Sequence, residues 1–171
     1  MSLDTEIGAP QRSPAEAQAY LSSMFHHVVS QDSSARNALQ TFLAGRGDAL
    51  IDYENEAISD QKKGADIEYV IPKDTILIQN PIAVVGKGSG AAAAQKFVTY
   101  LESRAGQAIW AAKGYRPVIS GVPGASKFPT PPDLFTIDTL GGWKKVSKDF
   151  FDPEEGFVTK LEQSLGVSTS K

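Results

Sequence analysis

The segment at residues 47–57, which reads Gly-Asp-Ala-Leu-Ile-Asp-Tyr-Glu-Asn-Glu-Ala, constrains the fold more than any other part of the chain. Its glycine favours a turn, and the apolar run at 49–51 is too short for a helix. The pattern therefore predicts a turn, a short buried strand over 48–52 and the start of an acidic helix. Because ligands of open α/β sheets bind where strands end, we expect a binding site beside Tyr53.

Composition is that of an ordinary globular protein and excludes several kinds of partner. The 171 residues are 41% hydrophobic and 22% charged, enough for one good core or parts of two small domains. A net charge of −3 gives no basic excess, so no nucleic-acid partner is predicted. The chain has no cysteine, which excludes disulfides and thiolate metal sites. No apolar run reaches the roughly 18–20 residues of a membrane span.

Two helices are predicted before the opening segment. Ser13, Pro14 and Glu16 are the start signals of the first helix: an N-cap, a first-turn proline and a capping-box acid. Apolar residues at helical spacing then predict one buried face, formed by Ala17, Tyr20, Leu21, Met24 and Val28. Asp32 or Ser33 is predicted to cap the second helix.

The rest of the chain alternates short apolar strands with helices. Trp110 and Trp143 are interpreted as core anchors. This alternation predicts an α/β sheet with helices on its faces. In chain order, the predicted elements are a helix over 56–62, a strand over 67–71, extended chain over 75–85, an alanine-rich helix after the glycine turn at 86–90, a helix over 106–114, irregular chain over 115–132 and a last helix over 153–165.

Seven sequence blocks occur together in one order: Asp-Ser-Ser-Ala-Arg at 32–36, the segment at 47–57, Phe-Val-Thr-Tyr-Leu at 97–101, Gly-Gln at 106–107, Tyr-Arg-Pro at 115–117, Leu-Phe-Thr-Ile-Asp at 134–138 and Gly-Gly-Trp at 141–143. Over about residues 14–165, this set resembles the sulfate- and thiosulfate-binding proteins of ABC importers. The resemblance implies an α/β chain that is part of a type II periplasmic-binding-protein-like fold, with helices on both faces of a sheet and two lobes, the first incomplete.

The resemblance covers only the C-terminal half of such proteins, so we interpret the chain as a truncated or excised domain rather than a naturally short relative. It implies three segments. Residues 1–12 are a tail or linker, 13–74 a partial second-lobe segment, and 75–171 a return segment to the first lobe with the C-terminal helices.

The resemblance also implies a site for an oxyanion, which backbone N–H groups and hydroxyls can bind without any cofactor or metal. The expected ligand-binding residues are Ser34, Ala35, Arg36 and Tyr53, with the Ala35 N–H as a donor in the first helical turn. Tyr53 stands where these proteins typically have tryptophan, so the donor remains but its reach differs. Sulfate or thiosulfate is expected, and molybdate or phosphate stays open. Asp32 decides between them, since a cleft-facing carboxylate favours a protonated anion and a capping one does not.

Each of these residues also has a purely structural interpretation. Asp32 and Ser33 can simply cap a helix, Arg36 can pair with a carboxylate, and Tyr53 can pack at a lobe edge with its hydroxyl in water. An enzyme using Glu54, Glu56 or His26 is poorly supported, because first-turn acids favour the helix dipole. Adjacent histidines diverge on a helix and do not chelate one ion easily.

The function expected is therefore that of a non-enzymatic solute-binding component of an ABC importer. Its partners are the oxyanion and a membrane permease, and an isolated fragment can dimerise or swap domains. The location expected is periplasmic or extracellular, with the signal peptide outside this sequence, since residues 1–10 show no leader. The alternative is an interaction or structural domain derived from this fold that binds no small ligand.

Overall fold

The computed structural model describes residues 13–86 and 88–167. Within these ranges the elements, in chain order, are α1 (Pro14–Phe25), α2 (Ala35–Leu43), α3 (Glu54–Gln61), β1 (Asp74–Ile76), α4 (Ala91–Glu102), α5 (Arg104–Ala112), β2 (Asp133–Phe135), α6 (Gly142–Phe151) and α7 (Phe157–Ser164), with two short 3-10 turns at Ala125–Lys127 and Ile137–Leu140.

The chain divides into two compact units. Unit 1 comprises Met1–Val29, Pro72–Ile78 and Pro131–Lys171, and unit 2 comprises Ser30–Ile71 and Gln79–Thr130. The chain therefore leaves and re-enters each unit. No helix in the described ranges is both long and apolar enough to cross a membrane.

Unit 1 contains the only sheet formed by the described residues, the parallel pair of β1 and β2. The Asp133 N–H donates to the Lys73 carbonyl at 3.2 Å, and the Leu77 N–H donates to the Phe135 carbonyl at 2.8 Å. The Lys73 ammonium lies 3.0 Å from the Asp133 carboxylate across the two strands. Packing of α6 on α7 buries one apolar side chain from each helix, Val146 and Leu161.

Unit 2 is helical and is organised by contacts between sequence-adjacent helices. Gly106 lets α5 begin close against the end of α4, since a Cβ there would lie 2.8 Å from the Leu101 carbonyl oxygen. The buried amide of Gln107 donates to that same carbonyl at 2.8 Å and accepts the Val118 N–H at 2.9 Å. This side chain therefore fixes the chain that follows α5. The apolar residues buried in unit 2 are Leu39, Ala111 and Val122.

The start of α1 confirms its predicted capping. Ser13 accepts the Glu16 N–H, the Glu16 carboxylate accepts the Ser13 N–H at 2.7 Å, and Pro14 is the first helical residue. The predicted buried face is wrong, because α1 has no buried residue and Tyr20 and Val28 are exposed. Helical spacing marks which residues share a face, but burial needs an element packed against that face.

The predicted strands over 48–52 and 67–71 do not form. Both segments lack regular structure, and Ile51 is 85% exposed. A strand exists only where a neighbour accepts and donates its backbone hydrogen bonds, and the one sheet among the described residues pairs β1 with β2 and includes neither segment. The expectation that Trp110 and Trp143 anchor the core is also wrong, since both are exposed and Trp143 is 66% exposed.

The last helix begins later than the sequence suggests. The Asp152 carboxylate accepts the N–H groups of Glu154 at 3.0 Å and Glu155 at 2.9 Å, which forms a turn in place of a helical start. These N–H donors, Glu155 first, lower the pKa of Asp152 below its usual value. Helix α7 then starts at Phe157, four residues beyond the predicted position.

Candidate functional site

The N-terminus of α2 presents backbone donors, and the first turn of the helix contains no acidic residue. Ser34 is its N-cap, and the Ser34 hydroxyl oxygen accepts the Asn37 N–H at 3.2 Å. The first intrahelical bond runs from the Ala38 N–H to the Ser34 carbonyl at 2.9 Å, so the N–H groups of Ala35 and Arg36 precede the ladder. No acidic residue occupies the first turn, which leaves the positive end of the helix dipole uncompensated within α2.

Asp32 does not cap α2, which corrects the predicted cap at Asp32 or Ser33. The Asp32 carboxylate accepts the Thr41 hydroxyl at 3.0 Å through one oxygen and the Ser30 hydroxyl at 2.9 Å through the other. Each oxygen is thus held by a hydroxyl of unit 2. The Ser33 hydroxyl accepts the side-chain amide of Asn37 at 3.2 Å instead of a backbone N–H.

Tyr53 is the N-cap residue of α3, but its side chain makes no capping bond and is 48% exposed. Two acids, Glu54 and Glu56, occupy the first turn of α3. Helices α2 and α3 pack on each other, and Arg36 Nη2 lies 3.4 Å from Glu56 Oε2. The structure therefore brings Arg36 to the start of α3 and pairs it with a carboxylate, as its structural interpretation expects.

The sequence analysis missed a two-point ion pair in this region. Arg116 Nε lies 2.6 Å from Glu54 Oε2, and Arg116 Nη2 lies 3.1 Å from Glu54 Oε1, with both side chains mostly buried. Nη1 of the same arginine donates to the Pro129 carbonyl at 2.8 Å, and its guanidinium lies 5.7 Å from the centre of the Phe128 ring. Arg116 thereby ties the 115–130 segment to the first turn of α3.

A second group missed from the sequence is Asp52, immediately before Tyr53. Its Oδ1 accepts the Tyr53 N–H at 2.6 Å, while its Oδ2 is buried and has no hydrogen-bond partner. Burial raises the pKa of Asp52, the Tyr53 N–H opposes that rise, and the charge of Glu56 adds to it. An acid ending a run of apolar residues is the sequence signal that could have drawn attention to it.

Other candidate chemistry finds little geometric support. His27 Nδ1 lies 2.8 Å from the Ser23 carbonyl oxygen, a contact within one helical turn. Among the residues that the structure describes, no group of three or more His, Cys, Asp or Glu side chains is placed to hold a metal. A shallow cleft of about 320 Å³ lies at the far end of α3 from Tyr53, between Ile58, Lys62, Tyr69 and Phe128 among others.

Comparison with known proteins places the chain in a family. The model of the family described as bacterial extracellular solute-binding protein matches residues 8–116, well over half of the chain. A sulfate-binding protein from Synechococcus elongatus is 34% identical over 157 residues, which are 88% of this chain and 45% of that protein. One from Salmonella typhimurium is 40% identical over 149 residues, which are 80% of this chain and 44% of that protein. Proteins named thiosulfate-binding protein match at 32% identity.

A solved structure extends the match to three dimensions. The sulfate-binding protein SubI from Mycobacterium tuberculosis H37Rv aligns with a TM-score of 0.67 and 40% identity, covering 74% of this chain and 45% of its own. The chain spans less than half the length of these relatives. The predicted resemblance and the predicted periplasmic-binding-protein type of α/β fold are confirmed, with only part of that fold present in this sequence. The chain belongs to the bacterial extracellular solute-binding proteins, a family of binding proteins rather than of enzymes.

Proposed function

We propose that this chain forms one wall of the binding site of an ABC importer's solute-binding component, and that the solute is a small tetrahedral oxyanion, sulfate or thiosulfate. The observation that carries the proposal is the open N-terminus of α2. There, Ser34 satisfies the Asn37 N–H while the N–H groups of Ala35 and Arg36 keep no helical acceptor, and no acid stands in the first turn.

Four residues are assigned to the anion. The Ala35 N–H donates to it along the axis of α2, and the Ser34 hydroxyl keeps its own proton to donate, because its oxygen acts as acceptor toward Asn37. Arg36 supplies positive potential, reduced by its pairing with Glu56. The fourth residue is Tyr53, which is 48% exposed and offers its hydroxyl as a donor. An anion at a surface helix terminus gains about 0.3–1 kcal/mol from that terminus, so we expect this chain alone to bind the anion weakly.

Asp32 supports a fully ionised anion over a protonated one. A ligand that carries a proton needs a carboxylate acceptor, and both oxygens of Asp32 already accept hydroxyls from Ser30 and Thr41. Sulfate and thiosulfate need no such acceptor at neutral pH. Molybdate fits the same donors, and phosphate fits them less well because its proton would compete for Asp32 with the hydroxyls of Ser30 and Thr41.

The family and the relatives support a biological setting for this function. We propose that the protein acts outside the cytoplasmic membrane, in the periplasm or extracellular space, and that the anion-bound form docks on a membrane permease. Two lobes would close around the solute, and the permease would recognise the closed form. The protein itself carries out no chemistry in this scheme.

Backbone amide shifts during a sulfate titration test the proposal on the 171-residue chain. The Ala35 and Arg36 amides should shift saturably with sodium sulfate and not with sodium chloride of equal ionic strength. The start of α4 is the internal control, because its first turn also lacks an acid and its N-cap Gly90 makes no side-chain bond. Equal shifts at Ala35 and at Ala92 would reduce the effect to general anion attraction and would overturn the assignment.

A further inference from the structure

Unit 2 contains a cleft that takes no part in the proposed oxyanion site. It lies at the end of α3 away from Tyr53, and all of its lining residues belong to this one unit. Its volume of about 320 Å³ is at the lower end of the roughly 300–1,000 Å³ that small-molecule sites occupy. The cleft is therefore large enough for a ligand of one ring.

The lining of the cleft is mainly apolar and comes from separate segments of the chain. Ile58 of α3, Ala111 of α5 and the rings of Tyr69 and Phe128 all contribute to it. The Arg116 guanidinium lies 5.7 Å from the centre of the Phe128 ring, a cation–π contact that helps to hold this ring in place. A lining of this kind favours a ligand with a flat, apolar body.

Two lysines, Lys62 and Lys127, give the cleft its charge, and none of its lining residues is acidic. Lys62 Nζ donates to the Ala112 carbonyl at 2.6 Å, which holds this ammonium at the end of α5 and leaves two of its N–H groups for a ligand. Neither lysine belongs to the ion pairs formed between described residues. An anionic group on the ligand would therefore complement the cleft.

We propose that this cleft is a second ligand site, which binds a small organic anion that carries a carboxylate on an aromatic ring. The ring would cover the apolar lining, and the carboxylate would face Lys62 and Lys127. Sulfate has no apolar body to cover that lining, and a neutral aromatic molecule offers nothing to the two ammonium groups. No residue of this site is assigned to the oxyanion, so either site can be occupied without the other.

Sodium benzoate is the probe, titrated into the 171-residue chain and followed through backbone amide shifts. We expect saturable shifts at Tyr69, Ala112 and Lys127, with an apparent Kd at least about tenfold lower than that for benzyl alcohol, which has the ring without the charge. Sodium acetate and sodium sulfate at equal ionic strength carry the charge without the ring. They should not saturate these amides.

Lysine variants test the contribution of the charge. Lys62→Gln and Lys127→Gln should each raise the Kd for benzoate about threefold to tenfold, the effect of one hydrogen bond to a charged group. Lys113→Gln is the matched control, because it removes the same charge next to Ala112 from a residue that does not line the cleft. Circular dichroism checks that the variants fold. If Lys62→Gln does not fold, Lys127→Gln still tests the site, because it leaves the contact to Ala112 intact.

Three results would overturn the proposal. Benzoate that binds no more tightly than benzyl alcohol would remove the role of the charge, and sulfate that saturates the same amides would reduce the site to general anion attraction. An equal effect of Lys113→Gln and the two cleft variants would also contradict it. The amides of Ala35 and Arg36 should not move with benzoate, so this experiment and the sulfate titration can fail independently.

Discussion

Arg116 holds Glu54 by two parallel hydrogen bonds of 2.6 and 3.1 Å, although 62 residues separate them in sequence. The pair joins the first turn of α3 to the segment after α5, and both side chains are mostly shielded from water. Two hydrogen bonds from a planar guanidinium to one carboxylate form a stronger and more directional interaction than a single contact from a lysine. The start of α3, where Tyr53 stands, therefore depends on a distant arginine.

Replacing Arg116 with lysine should destabilise unit 2 by about 1–3 kcal/mol, the range for a hydrogen bond to a charged group that loses its geometry. Urea unfolding in a Trp143→Phe background measures this, because Trp110 then reports on unit 2. Its ring contacts Tyr115 edge-on at 5.3 Å, next to Arg116.

The matched control for Arg116 is the exposed pair of Lys145 and Asp149, one turn apart on α6. Exposed pairs of this kind contribute about 0.3–0.5 kcal/mol, so Lys145→Ala should barely move the unfolding midpoint. If Arg116→Lys cost no more than Lys145→Ala, the Arg116–Glu54 pair would not be what holds the start of α3.

Ser34→Ala should destabilise α2 by about 1 kcal/mol, because the Asn37 N–H loses its acceptor. Ser33→Ala is the matched control, since the Ser33 hydroxyl contacts only the side-chain amide of Asn37 and its loss should cost less than half as much. Thermal or urea unfolding compares the two. A larger loss at Ser33 would return the cap to the position that the sequence suggested.

The wrong prediction of the α2 cap shows the limit of what local sequence can predict. The box of Ser13 and Glu16 was predictable because both partners lie in one turn. At 32–34 three adjacent residues have side chains that can cap a helix. Asp32 is not the cap, because its carboxylate accepts the hydroxyl of Thr41, nine residues away. Helix existence was therefore predictable here, whereas the capping residue was decided by a contact outside the local pattern.

The strands and the candidate site also separate what a local pattern predicts from what depends on distant contacts. The apolar run ending at Ile51 has strand character, yet no strand forms, because pairing depends on neighbours that the described residues do not supply. Tyr53 could be named from its position after that run and from the family resemblance. The groups beside it, the Arg116–Glu54 pair and the Asp52 carboxylate with its buried Oδ2, are placed by three-dimensional contacts that no spacing rule predicts.

Asp52→Asn should stabilise the protein at neutral pH. Burial raises the pKa of Asp52 in the folded state above its unfolded value near 3.8, so the native state holds more protons between those two values. Stability therefore falls as pH rises through that window, and the full penalty is present at pH 7. Asparagine keeps an oxygen for the Tyr53 N–H and removes the charge.

Urea midpoints at pH 3 and pH 7 measure the effect, with the gain from Asp52→Asn expected to be larger at pH 7. Asp48→Asn is the control, because Asp48 lies in the same segment and is exposed. If Asp52→Asn lost stability at pH 7, the charge of Asp52 would have to be compensated by a partner. That would contradict the lack of a hydrogen-bond partner at its Oδ2.

Tyr53→Phe tests the assigned anion donor on the side of α3. If the Tyr53 hydroxyl donates to the anion, its removal should raise the apparent Kd for sulfate about threefold to tenfold, the effect of one hydrogen bond. The amide titration of Ala35 gives the Kd, and Tyr69→Phe is the control because Tyr69 lines the cleft at the other end of α3. Phenylalanine keeps the ring, so packing at the helix start should change little. An unchanged Kd in Tyr53→Phe, with Ala35 still shifting, would leave the anion on α2 and remove Tyr53 from the site.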